Sequence, residues 1–124
     1  MTGQPMALPP EAQQHLIRMQ TYQQTAQSIL VQKETMSIQK VEIESALEEL
    51  GKSEGDVFKA VGPILVKSTK DKLESELKEK LEDIDVKTKS LETQEKKLQE
   101  KMLEIQEKLQ EMLKPKSEEK ASAN

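Results

Sequence analysis

The chain has 124 residues, of which 34% are hydrophobic and another 34% charged, with Tyr22 and Phe58 as its only aromatics; ordinary globular domains hold ~45–50% apolar residues, so one compact core is under-supplied. The absence of Cys excludes a disulfide framework, a thiolate nucleophile and a Cys-ligated metal. A net charge of -4 without clustered cations excludes a sequence-independent grip on nucleic acid, and no run approaches the ~18 apolar residues of a membrane span.

Met1 to Glu11 shows no charged-then-apolar signal pattern, so a cytoplasmic location is expected, with residues 1–9 as a flexible tip. The spacing then predicts a helix over residues 10–50. Ala12, His15, Met19, Tyr22, Ala26, Ile29, Lys33, Met36, Lys40, Ile43, Leu47 and Leu50 repeat with alternating steps of three and four, the mark of a coiled-coil seam. Pro9 and Pro10 suit its first turn, and Gly51 is placed to lie just past its last.

Residues 51–69 follow a different grammar. Val57 to Val61 and Ile64 to Lys67 favour strands, and Gly62-Pro63 between them suits a type II′ turn, so a single β-hairpin is expected. Its apolar residues Val57, Phe58, Val61, Ile64, Leu65 and Val66 lie on both faces of a two-stranded ribbon. An isolated hairpin is marginal in water, and exposed apolar edges invite pairing. Strands of other chains are therefore expected to complete the sheet, making these residues an oligomerisation site.

A second helix is expected over residues 70–114, beginning after Ser68, whose hydroxyl suits a cap on the Asp71 donor. Its seam runs Leu77, Leu81, Ile84, Thr88, Leu91, Glu95, Leu98, Met102, Ile105, Leu109 and Met112. Pro115 stops it, and residues 115–124 lack periodicity, the pattern of a disordered tail. At ~1.5 Å per residue the helices would run roughly 60 and 67 Å. If the chain reverses at Gly62, antiparallel layers pair Leu47 with Leu77, Ile43 with Leu81, Lys40 with Ile84, Tyr22 with Met102 and Met19 with Ile105. The fold class is thus mainly α: a long antiparallel coiled-coil hairpin of two helices joined by one β-hairpin.

Catalytic motifs fail on inspection. Gly51-Lys52-Ser53 imitates the end of a phosphate-binding loop, but Ala46 stands where its Gly is required and a helix precedes it. His15 is the only His and has no ligand partners in sequence; it reads as a seam residue. Glu48-Glu49 and Asp83/Asp85 read as solvated helix faces with i,i+4 ion pairs. No enzyme, cofactor or metal is expected. The end of the arm away from the hairpin carries Met6, Leu8, Leu16, Ile17, Met19, Met102, Leu103, Ile105 and Met112, several of them off the seam. Flexible methionines and off-seam apolar surface suit adaptable binding.

The stretch Asp56-Val57-Phe58-Lys59-Ala60-Val61-Gly62-Pro63-Ile64-Leu65-Val66-Lys67, flanked by long heptad helices, resembles the prefoldin family, in its beta class and of archaeal type. The single hairpin fits that class, since the alpha class carries two. The resemblance implies a hexamer of two alpha-class and four beta-class subunits whose hairpins form inter-subunit β-barrels. It implies an ATP-independent holdase that binds non-native proteins at the coiled-coil tips and delivers them to a group II chaperonin. Glu100, Glu104, Glu107 and Glu111 are then candidates for the chaperonin contact. The alternative is a structural coiled-coil adaptor or tether without client binding.

Overall fold

Proline chemistry sets the start of the first helix. In the computed structural model, which describes residues 8–114, helix α1 spans Pro10–Lys52. The Pro9 carbonyl accepts from the Gln13 N–H at 3.0 Å, so Pro9 caps the helix and only Pro10 lies within its first turn. Gln13 also donates through Nε2 to the Leu8 carbonyl at 2.9 Å, which ties down the incoming chain. Glu11 sits at the positive end of the helix dipole.

The expected stop at Gly51 is corrected: α1 continues through Gly51 to Lys52. A left-handed glycine cap is not needed, because other donors reach the terminal carbonyls. Ser53 N–H donates to the Leu50 carbonyl at 3.2 Å. The Lys70 ammonium donates to the carbonyls of Gly51 at 3.1 Å and Ser53 at 3.3 Å. A cation from the start of the next helix thus satisfies the negative end of α1.

Strands β1 (Val57–Val61) and β2 (Ile64–Ser68) pair antiparallel, with Val61 opposite Ile64 and Val57 opposite Ser68. Gly62 has φ 57°, and among the described residues it alone has positive φ. Proline cannot take positive φ at the next position, so the turn is type II′, not I′. Strand β2 runs one residue further than expected, and Ser68 is used in the ladder. The cap of helix α2 (Lys70–Met112) therefore falls to Thr69, whose Oγ1 accepts from the Lys72 N–H at 3.2 Å.

The chain forms two compact units, one of Met1–Ile29 with Gln94–Asn124 and one of Leu30–Thr93. In the first, Ala12, Ile29, Leu98 and Ile105 are buried, with Met19, Tyr22, Ala26, Met102, Leu109 and Met112 half-buried beside them. In the second, Leu50, Ile84 and Leu91 are buried, with Met36, Ile43, Leu47, Leu77 and Leu81 half-buried. These are the seam positions of the two helices. The contacts within each unit follow the antiparallel layers: Met36, Ile43 and Ile84 line one small cleft of about 190 Å³, and the Lys101 ammonium lies 6.0 Å from the Tyr22 ring centre, one residue from Met102. Lys40 is the exposed member of the seam. Its ammonium leaves the layer and pairs with Asp85 at 3.4 Å, beside the expected non-ionic partner Ile84. Half-exposed on both sides, that pair is worth about 0.2–1 kcal/mol.

Candidate functional site

The hairpin presents apolar surface that its own helices leave uncovered. Phe58 is 52% exposed, Ile64 58% and Leu65 72%. Val61 and Val66 are also exposed, and Val57 is half-buried. The strand register divides the side chains between faces: Val57, Lys59, Val61, Ile64 and Val66 share one, and Phe58, Ala60 and Leu65 share the other. A two-residue turn makes Val61 and Ile64 a pair that exchanges ladder bonds. Phe58 and Ala60 on β1, and Leu65 and Lys67 on β2, therefore direct their N–H and C=O groups outward along the two edges. Each edge is a template for another strand.

Beside β1 lies an open cleft of about 470 Å³, lined by Leu50, Val57, Phe58, Ala60, Leu73 and Leu77 among others. The hairpin is held to α2 at this cleft by an ion pair. Lys59 Nζ donates to Glu76 Oε2 at 2.9 Å. That hydrogen bond, with smaller contributions from the charges of Lys59, Lys72 and Lys80, holds the Glu76 carboxyl below its ordinary value of 4.5. Lys67 and Asp56, 3.6 Å apart and well exposed, make a looser second pair.

The other candidate surface belongs to the first unit. Leu16, Ile17 and Leu103 are exposed, and Leu8, Met19, Met102 and Met112 are half-buried. Ile105 is buried in the seam. Met6 lies outside the described residues. Leu113, which sequence reasoning did not place in the client set, is 56% exposed just past α2. Glu100, Glu104, Glu107 and Glu111 are all exposed and recur at helical spacing along one face of α2. His15 is buried at 7% exposure, and neither ring nitrogen has a hydrogen-bond partner among the described residues.

Sequence reasoning missed the Lys59–Glu76 pair, because its partners come from different elements and no local pattern announces it. Among the described residues no group of three His, Cys, Asp or Glu is placed to hold a metal ion. Among them, too, no helix is long and apolar enough to cross a membrane.

Comparison with known proteins follows the same geometry. The family described as prefoldin subunit matches residues 13–116. The prefoldin subunit beta of Thermococcus kodakarensis is 41% identical over 82 residues, covering 64% of this chain and 70% of the relative. That of Methanococcoides burtonii is 41% identical over 85 residues, covering 67% and 73%. The crystal structure of the prefoldin beta subunit from Thermococcus strain KS-1 superposes with a TM-score of 0.80 at 39% identity, covering 90% of this chain and 99% of that one. The beta2 subunit of the same strain, 22% identical, shares the fold with a TM-score of 0.64, covering 72% and 97%.

Proposed function

This chain belongs to the prefoldin family, as a subunit of the beta type, and from there we propose that it is an ATP-independent holdase subunit that binds non-native proteins at its coiled-coil tips. The family's members are non-enzymatic chaperone subunits, and beta subunits form heteromeric complexes with other prefoldin subunits. The finer reading is a cytoplasmic hexamer of two alpha-class and four beta-class chains, joined through inter-subunit β-barrels, that passes its clients to a group II chaperonin.

The observation that carries the client reading is the apolar surface left exposed in the first unit at Leu16, Ile17, Leu103 and Leu113. Non-native chains expose dispersed apolar segments of no fixed shape. A receptor for them needs flexible apolar contacts, and several copies acting together supply avidity that one contact lacks. Assembly through the hairpin is supported by its two open edges and by Phe58, Ile64 and Leu65, whose burial against other subunits would be worth roughly 1.5–3 kcal/mol each.

The test mixes the chain with an alpha-class subunit and follows light scattering of an unrelated denatured protein without nucleotide. Aggregation should be suppressed by the parent. Removing Met1 to Ile17 together with Leu103 to Asn124 should preserve the hexamer and abolish suppression. Full suppression by that truncation moves the client site elsewhere, and no suppression by the parent favours a structural tether. For the chaperonin contact, Glu104→Lys with Glu107→Lys should slow association, and added salt should mimic the defect.

A further inference from the structure

The face of α1 turned away from the seam carries four exposed apolar residues in the second unit. Leu30, Val31, Ile38 and Val41 are 44%, 51%, 60% and 62% exposed. At 100° per residue these four fall on one side of the helix, within three turns, opposite Met36, Ile43 and the rest of the seam. Scattered surface hydrophobes need no explanation, but four aligned on one helix face around a single carboxylate do. Thr35, exposed at the border of this stripe, has its hydroxyl engaged on the Val31 carbonyl at 3.1 Å.

The charges on the stripe's own side of α1 are carboxylates, and the one cation next to it, Lys33 beside Leu30, belongs to the seam side. Between Arg18 and Lys52 the only cations of α1 are Lys33 and Lys40. Both are seam positions, Lys33 half-buried and Lys40 paired with Asp85. The carboxylates lie elsewhere. Glu34 stands three residues after Val31 and four before Ile38, so it sits on the stripe itself, and Glu42 borders Ile38 and Val41. The helix thus offers an apolar–acidic–apolar track about 15 Å long. An acidic segment would meet only repulsion there, and a purely apolar one would desolvate Glu34 without a partner. The track is also far smaller than the ~800 Å² per side that a stable folded partner buries.

We propose that the outer stripe of α1, Leu30, Val31, Ile38 and Val41 about Glu34, is a second client contact selective for non-native segments in which a Lys or Arg is flanked by apolar residues. It rests on the holdase reading and adds a charge preference that α1 in the first unit, where Glu11 and Arg18 are its only charges, lacks. Contacts acting together on one client supply avidity, so each can be weak.

The chain has no Cys, so a single Thr35→Cys carries an environment-sensitive dye beside the stripe, with Val86→Cys on α2 as the reference position. The probes are two unstructured peptides of equal length, one built from Leu and Lys, the other from Leu and Glu. In the assembled complex the Leu/Lys peptide should shift the dye at 35, not at 86, and bind at least tenfold tighter than the Leu/Glu peptide. Glu34→Lys should erase or invert that preference, and Val31→Ser with Ile38→Ser and Val41→Ser should abolish the response while the complex stays assembled. Equal responses at both dye positions, or a preference unaffected by Glu34→Lys, overturn the proposal. Aggregation suppression by the parent complex is measured alongside. If it is present and the dye response absent, only the stripe is wrong; if it is absent, the holdase reading itself fails.

Discussion

Lys59 on β1 and Glu76 on α2 stand 2.9 Å apart, and this ion pair fastens the hairpin to the second helix. The hydrogen bond holds the Glu76 carboxyl below 4.5. A carboxyl depressed in the folded state adds stability above its unfolded value, and that contribution is lost as pH falls through the folded value. Glu76→Gln should therefore melt at lower temperature than the parent at neutral pH. The difference should vanish well below 4.5, where the parent carboxyl is protonated as well. A gap in melting temperature that persists in acid would show that the glutamine disturbs packing and not charge.

Two glycines should respond in opposite directions to alanine. Gly62 has φ 57° with no atom within 4 Å of an added Cβ, so Gly62→Ala meets open space but a strained backbone. The cost is about 1–2 kcal/mol. Gly51 is helical and equally uncrowded, so Gly51→Ala should gain about 0.5–1 kcal/mol by restricting the unfolded chain. Thermal melts of the two variants check both signs.

The start of α2 gives a single-residue test. Thr69→Ala removes the hydroxyl that accepts from Lys72 N–H and should cost about 1 kcal/mol. Ser68→Ala, in the ladder, should stay within about 0.5 kcal/mol. Denaturant midpoints that rank the two in reverse would return the cap to Ser68.

How far the sequence could be read is visible at these same residues. The seams were readable because a step of three and four puts Ile84, Leu91, Leu98 and Ile105 on one side of α2 and Ile29 and Leu50 on one side of α1, and two such stripes can bury only against each other. The hairpin was readable because Gly62-Pro63 satisfies one turn type and few others. The end of α1 was not: what lets it run through Gly51 is Lys70, a donor 19 residues away. Choosing between Ser68 and Thr69 as cap depended on how far the ladder runs, which two adjacent hydroxyls do not reveal. Of the candidate site, the exposed hairpin apolars followed from a shortage of covering surface. The outer stripe escaped notice because attention to the seam hides a second set, Val31 and Ile38, that repeats at the same seven-residue interval.

Assembly should fail when a charge enters the hairpin. Phe58→Asp or Leu65→Asp places a carboxylate where a neighbouring strand would desolvate it, at a cost of several kcal/mol. Each variant should remain helical by circular dichroism yet sediment as unassembled chains beside the parent complex with its alpha-class partner. Normal assembly of both would remove the hairpin from the interface.

On the proposed holdase reading, His15 links packing to client holding. Its ring is buried and neither nitrogen has a hydrogen-bond partner among the described residues, a deficit of about 1–3 kcal/mol for a buried polar group. Leucine has similar volume and no polar atoms, so His15→Leu should raise the melting temperature by several degrees. The half-buried Met19 and Met112 and the buried Ile105 lie in the same unit, and they can meet a client only when the helices part there. A firmer seam opens less often. The variant should therefore be more stable and a weaker suppressor of aggregation, with assembly unchanged. Greater stability with undiminished suppression would show that clients use only the surface already exposed at Leu16, Ile17, Leu103 and Leu113. A loss of stability would mean that the imidazole is satisfied in solution by water or by a neighbouring subunit.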